Sequence, residues 1–210
     1  MRHLLQGLAV VAAAAVLSAC NIVVTETPMY AQADASGAPQ LREGVWAMLE
    51  GDCKADVTAD PSTWPECAEP VTIQDGKFSG KNKEGEEETL PYILAAGDPR
   101  VMQIELIEPD SKVTLYFYTG VEPLKVDDKG RITAFKAWMV QCGPPPAKDA
   151  KRANGQPRFV SETPTEGMQI DPEETMCMPV DKAALARAAA ASKGYEDDKG
   201  SRAIWAREAP

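Results

Sequence analysis

The stretch RVMQIELIEPDSKVTLYFYTG, residues 100–120, decides the fold. In its first half Met102, Ile104 and Leu106 fall on one face; in its second half Val113, Leu115 and Phe117 do so, with Tyr116 and Tyr118 opposite. That two-residue period is a strand's, not a helix's. Between the halves, Pro109-Asp110-Ser111 presets φ and offers side-chain oxygens to the backbone, so the chain turns there. The stretch is therefore a β-hairpin.

Short apolar runs separated by turn residues continue on both sides. LREGVWAML (41–49) alternates, and VTIQ (71–74) runs into Asp75-Gly76, a dipeptide suited to a two-residue hairpin turn, with KFSG behind it. LPYILAA (90–96) stops at Gly97-Asp98-Pro99, and Asp127-Asp128-Lys129-Gly130 leads into RITAFKAWMVQC (131–142). DKAALARAAAASK (181–193) is the one good helix, with Asp181 as N-cap and Gly194 as stop, and SRAIWARE (201–208) is a closing strand. Seven or eight strands with hairpin-like joints predict a mainly β protein: an antiparallel barrel or sandwich with one C-terminal helix and a closing strand.

The opening MRHLLQGLAVVAAAAVLSAC has a cationic start at Arg2 and His3 and an uncharged run from Leu4 to Ala19, the layout of an export signal. Leu17-Ser18-Ala19-Cys20 resembles the bacterial lipobox. The resemblance implies cleavage between Ala19 and Cys20, and Cys20 carrying diacylglycerol and an acylated amine. The lipid bilayer is then a partner, and the location is the bacterial cell envelope. Asn21 in place of aspartate implies the outer membrane over the inner. The chain divides into a signal peptide (1–19), a lipidated N-terminus with flexible tether (20–40) and a single disulfide-stapled β domain (41–210). A free coil of that length reaches roughly 25 Å. WPECAEPVTI and KAWMVQCGPPP also resemble uncharacterised envelope lipoproteins of bacteria.

Gly44-Val45-Trp46 and the helix-then-strand ending are similar to lipocalins, which open with G-x-W, close an eight-stranded barrel and add a helix and a last strand. The T-D-Y segment of that family has no counterpart here. The resemblance implies a binder of a small apolar ligand. An apolar cavity of roughly 300 Å³ or more would favour that role, and a side-chain-filled interior would count against it.

The 22 basic and 32 acidic residues give a net charge of -10, which supplies no counterion-release affinity for nucleic acid. The single histidine, His3, lies in the signal, so histidine-based nucleophile systems and histidine metal sites are excluded from the mature chain. Cys53, Cys67, Cys142 and Cys177 have no C-x-x-C spacing and suit structural disulfides in an oxidising compartment. Chain order favours Cys53–Cys67 and Cys142–Cys177. Met176-Cys177-Met178 with Met168 reads as packing methionines rather than a copper site, and no metal, cofactor or catalytic residue is expected.

Two charged segments stand out. Lys148, Lys151, Arg152 and Arg158 make a basic stretch inside an acidic chain, a possible surface for an envelope protein partner or for anionic lipid. Glu84, Glu86, Glu87 and Glu88 read as a charged hairpin tip. The leading expectation for function is a non-catalytic, membrane-anchored envelope lipoprotein acting by protein contacts or as a structural component. The lipocalin-like binder is the alternative, and a carboxylate-based glycan hydrolase comes third.

Overall fold

The computed structural model describes residues 21–82, 85–108, 111–173, 176–195 and 201–209. Cys20 and Ala19, Glu84 of the acidic tip, and Pro109-Asp110 of the opening hairpin lie outside them.

Seven strands run as an antiparallel meander: β2 (Gly44–Leu49), β3 (Ala68–Gln74), β4 (Lys77–Lys81), β5 (Glu87–Ala95), β6 (Arg100–Ile107), β7 (Thr114–Val126) and β8 (Ile132–Met139). β11 (Ser201–Arg207) then enters between β8 and β2, antiparallel to both, and closes the ring. The result is a closed eight-stranded antiparallel barrel, the first of the two architectures that the hairpin pattern predicts. The expected hairpin at 71–80 forms with Asp75 and Gly76 both at positive φ (49° and 69°), the conformation a two-residue turn of this twist needs.

The closing strand departs from the lipocalin order given above. Here the strand after the helix is itself the eighth member of the ring, because the meander supplies only seven.

α1 (Lys182–Ser192) lies across the barrel wall, capped at Asp181, whose carboxylate accepts from the Ala184 amide at 2.7 Å. Its buried residues Ala184, Leu185, Ala188 and Ala189 pack with Tyr118, Val101 and Ala95 of the outer wall. The Trp138 indole donates to the Ala189 carbonyl at 2.8 Å. Under that ring sits Gly120, directly opposite in the ladder, where an added Cβ would fall 2.3 Å from Trp138 Cε2. Three short strands lie outside the ring: β1 (Val24–Thr25), β9 (Met168–Ile170) and β10 (Cys177–Pro179). Both expected disulfides are present, Cys53–Cys67 and Cys142–Cys177. The first staples a loop whose Val57 and Trp64 cover the outer face of β2 and β3.

Residues 21–40 are not the free tether that their composition predicts. Asn21, Val23, Thr25, Tyr30 and Ala35 are buried. β1 pairs with β7, and Gln103 clamps the segment by accepting from the Met29 and Tyr30 amides and donating to the Tyr30 carbonyl. Lys182 reaches Asp34 at 2.7 Å, and this hydrogen bond holds the Asp34 carboxyl below its ordinary range. The Tyr30 hydroxyl is pushed up to about 12, first by burial and then by the Asp34 charge. A segment poor in periodicity is thus ordered by partners 73 to 148 positions away in the chain.

Candidate functional site

The two ends of the barrel are built differently. At one end the turns at 75–76, 96–99 and 127–131 meet the incoming segment 38–43. There Leu41 bridges Ile132, and Trp46, Ile73, Leu94, Val121 and Phe135 fill the interior. Trp46 is fully buried, packs against Phe135 with the rings tilted and their centroids 5.4 Å apart, and donates to the Arg42 carbonyl at 2.8 Å. Trp205 stands opposite it in the ladder, with the Arg42 guanidinium 3.5 Å from its ring centroid. Glu208 bonds Arg42 in turn, which keeps the Glu208 carboxyl below its usual range. Gly44 makes the approach possible: its φ is +133°, and a Cβ there would meet the Arg207 carbonyl oxygen at 2.2 Å. Gly44 and Trp46 therefore seal the base.

At the other end the interior is hollow. A cavity of about 200 Å³ is lined by Met48, Val71, Phe78, Leu90, Met102, Ile104, Leu106, Phe117, Phe135, Ala137 and Met139, with Thr119, Ser201 and Glu50 supplying polar atoms. The lining follows from strand alternation. Ile104 opposes Phe117, Phe78 opposes Leu90, and Met102 opposes Thr119, so each inward residue of one strand meets an inward residue of the next. Met102, Ile104, Leu106 and Phe117, grouped from sequence on shared faces, are among the residues that line the cavity. Val71, the ladder partner of Trp46, closes it below. The volume falls short of the 300 Å³ criterion, so the site suits something smaller than a drug-sized ligand. An apolar cavity of about 150 Å³ already takes a benzene ring.

The rim is uneven. Glu50, Asp52, Glu66 and Glu86–Glu88 stand on the β2–β5 side; the chain 140–180 stands on the β7–β8 side. The expected acidic tip is a turn closed by Asn82, whose carbonyls and side chain hold the Gly85 and Glu86 amides. The basic stretch is a small hairpin: Lys151 bridges Pro157, and the Arg158 amide bonds the Ala150 carbonyl. Lys148 and Lys151 are exposed, Arg152 donates to the Glu173 carbonyl, and Arg158 lies 3.9 Å from Glu162. The four basic residues share one lobe, away from the cavity lining.

Sequence reasoning missed β1, β9 and β10 and with them the wall beside the mouth. β7 continues past the end of β8, and β1 takes the vacated edge, with Val24 opposite the cavity residue Phe117. On the outward side of that wall the Thr25 and Tyr118 hydroxyls share a hydrogen bond at 2.6 Å, and burial holds the Tyr118 hydroxyl above its ordinary pKa. Of the three methionines expected to pack near Cys177, Met168 is buried while Met176 and Met178 are exposed. A comparison with protein-family models, curated proteins and solved structures finds no match.

Proposed function

We propose that this chain is a non-catalytic bacterial envelope lipoprotein, anchored through Cys20, whose barrel holds the apolar end of a small ligand. The cavity carries the reading. A barrel filled to its rim would have only a scaffold's role, whereas this one is sealed by two tryptophans below and left hollow above. Its walls are hydrocarbon and thioether, and Thr119 and Ser201 are the lining residues that carry hydroxyls. The lipobox residues and the two disulfides support export and anchoring.

The ligand class this favours is a short alkyl chain or single ring bearing one hydrogen-bonding group. The test is calorimetric titration of the mature chain with a series of n-alkanols. Affinity should rise about fourfold per methylene, then level off when the cavity is full. Ala137→Leu, which places extra methyl groups in the cavity, should abolish the plateau-length binding. Equal heats for the parent and Ala137→Leu, or no heat at any length, would overturn the reading.

A further inference from the structure

We infer that the face formed by Ile22, Val24, Met176 and Met178, beside the barrel mouth, seats directly on the membrane that holds the anchor. The inference rests on the lipidation of Cys20 proposed above and deepens it by fixing which side of the protein meets lipid.

The first observation is how Asn21 is held. Asn21 is buried, its side-chain amide donates to the Gln141 side chain and the Gly143 carbonyl, and its side-chain oxygen accepts from the Ser161 amide, each at 2.9 Å. Its own carbonyl accepts from the Cys142 amide at 2.7 Å. A residue held by four hydrogen bonds cannot act as the first link of a tether. Consecutive Cα atoms are only about 3.8 Å apart, so an acyl chain on the preceding residue is attached at the body of the protein. The roughly 25 Å of slack that a free segment 20–40 would give is absent.

The second observation is what surrounds that point. Val23 bridges Cys177 in parallel, and both are buried. By strand alternation Ile22, Val24, Met176 and Met178 then share the opposite face. Met176 and Met178 are exposed, and Val24 stands opposite Phe117 in the cavity wall. An apolar apron thus runs from beside Asn21 to the cavity mouth.

Charge gives the third argument. Arg152 donates to the Glu173 carbonyl, tying the basic hairpin to the turn between β9 and β10. Arg152, on the hairpin that also carries the exposed Lys148 and Lys151, therefore adjoins the apron, where anionic headgroups would lie. The far rim carries Glu50, Asp52 and Glu86–Glu88, and the apron's own side carries Asp171 and Glu173 beside its basic residues. The apron, not net charge, therefore turns the mouth toward lipid.

The test uses the full chain expressed in a bacterium that processes lipoproteins, then reconstituted in phosphatidylethanolamine–phosphatidylglycerol vesicles with brominated acyl chains. Met178→Trp places a reporter on the apron, and Asp128→Trp places one at the sealed end. The added emission at 178 should be blue-shifted and quenched by the brominated lipid, and that at 128 should be neither. Intact mass is measured on the same samples. A mass without acyl groups removes the anchor and the seating with it. A mass carrying acyl groups, with emission at 178 as bright as at 128, overturns the seating alone and leaves the apron to a protein partner.

Discussion

The sealed base and the hollow mouth are made by the same eight strands, yet they follow opposite rules. At the base, large rings meet across the interior: Trp46 with Phe135, and Trp205 beside it under Arg42. At the mouth, Phe78, Leu90, Leu106 and Phe117 are interspersed with flexible or small inward residues, Met48, Met102, Met139, Ala137 and Thr119, and the lining leaves about 200 Å³ open. Strand alternation determines which side chains point inward; side-chain volume determines whether the inside is full. The lesson is that one barrel can place stability at one end and binding at the other.

Substitutions should separate the two ends. The largest effect belongs to the base: Trp46→Ala removes a fully buried indole and its hydrogen bond to Arg42, and should cost about 3–5 kcal/mol by chemical denaturation. Phe117→Ala at the mouth, where the ring is only half-buried, should cost clearly less while weakening ligand binding. Equal losses at the two positions would erase the contrast. Replacing Cys142 and Cys177 by Ala should cost about 4 kcal/mol in the chain-entropy view, and replacing Cys53 and Cys67 about 3, since the first bridge spans 35 positions and the second 14.

Glycine substitution gives the next step down. Gly120→Ala drives a Cβ into the Trp138 ring, which α1 holds from the other side, and should cost about 1–3 kcal/mol in the same assay. Acid should act more gently. Asp34, Asp60 and Glu208 are held below their ordinary values by hydrogen bonds from Lys182, Ser62 and Arg42 respectively. A depressed folded-state pKa gives stability that is complete above the unfolded value, near pH 4, and is lost as pH falls through the folded value. The melting temperature should therefore hold from neutrality to about pH 4.5 and fall below it, with Lys182→Met flattening part of that fall. Smallest of all, Ala137→Leu should leave stability within about 1.5 kcal/mol of the parent while closing the cavity.

The hairpins were legible because each carries its own two-residue period and turn. Residues 100–120 show the inward and outward faces without any tertiary information, and the structure places Met102, Ile104, Leu106, Leu115 and Phe117 inside. Ring closure was partly legible, since a last strand after the helix was evident but its partners were not. β1, β9 and β10 were illegible for a physical reason. Strands of two or three residues have no period to detect; β1 pairs where β7 outruns β8, and β10 carries Cys177, which is bridged to Cys142. Segment 21–40 misled in the same way: its order comes from Gln103, Tyr118 and Ser161, none of them near it in the chain. The cavity could not be read either, because a row of Met, Leu and Phe looks identical whether it meets a ring or a void.

The most direct test is methyl spectroscopy on the mature chain carrying 13C-labelled methionine methyls, titrated with octanol. Met48, Met102 and Met139 line the hollow end, while Met168 is buried outside the ring between the wall and α1. The account predicts saturable shifts for the three cavity methyls and none for Met168. Stationary cavity methyls, or shifts confined to the exposed Met176 and Met178, would contradict a ligand-holding barrel.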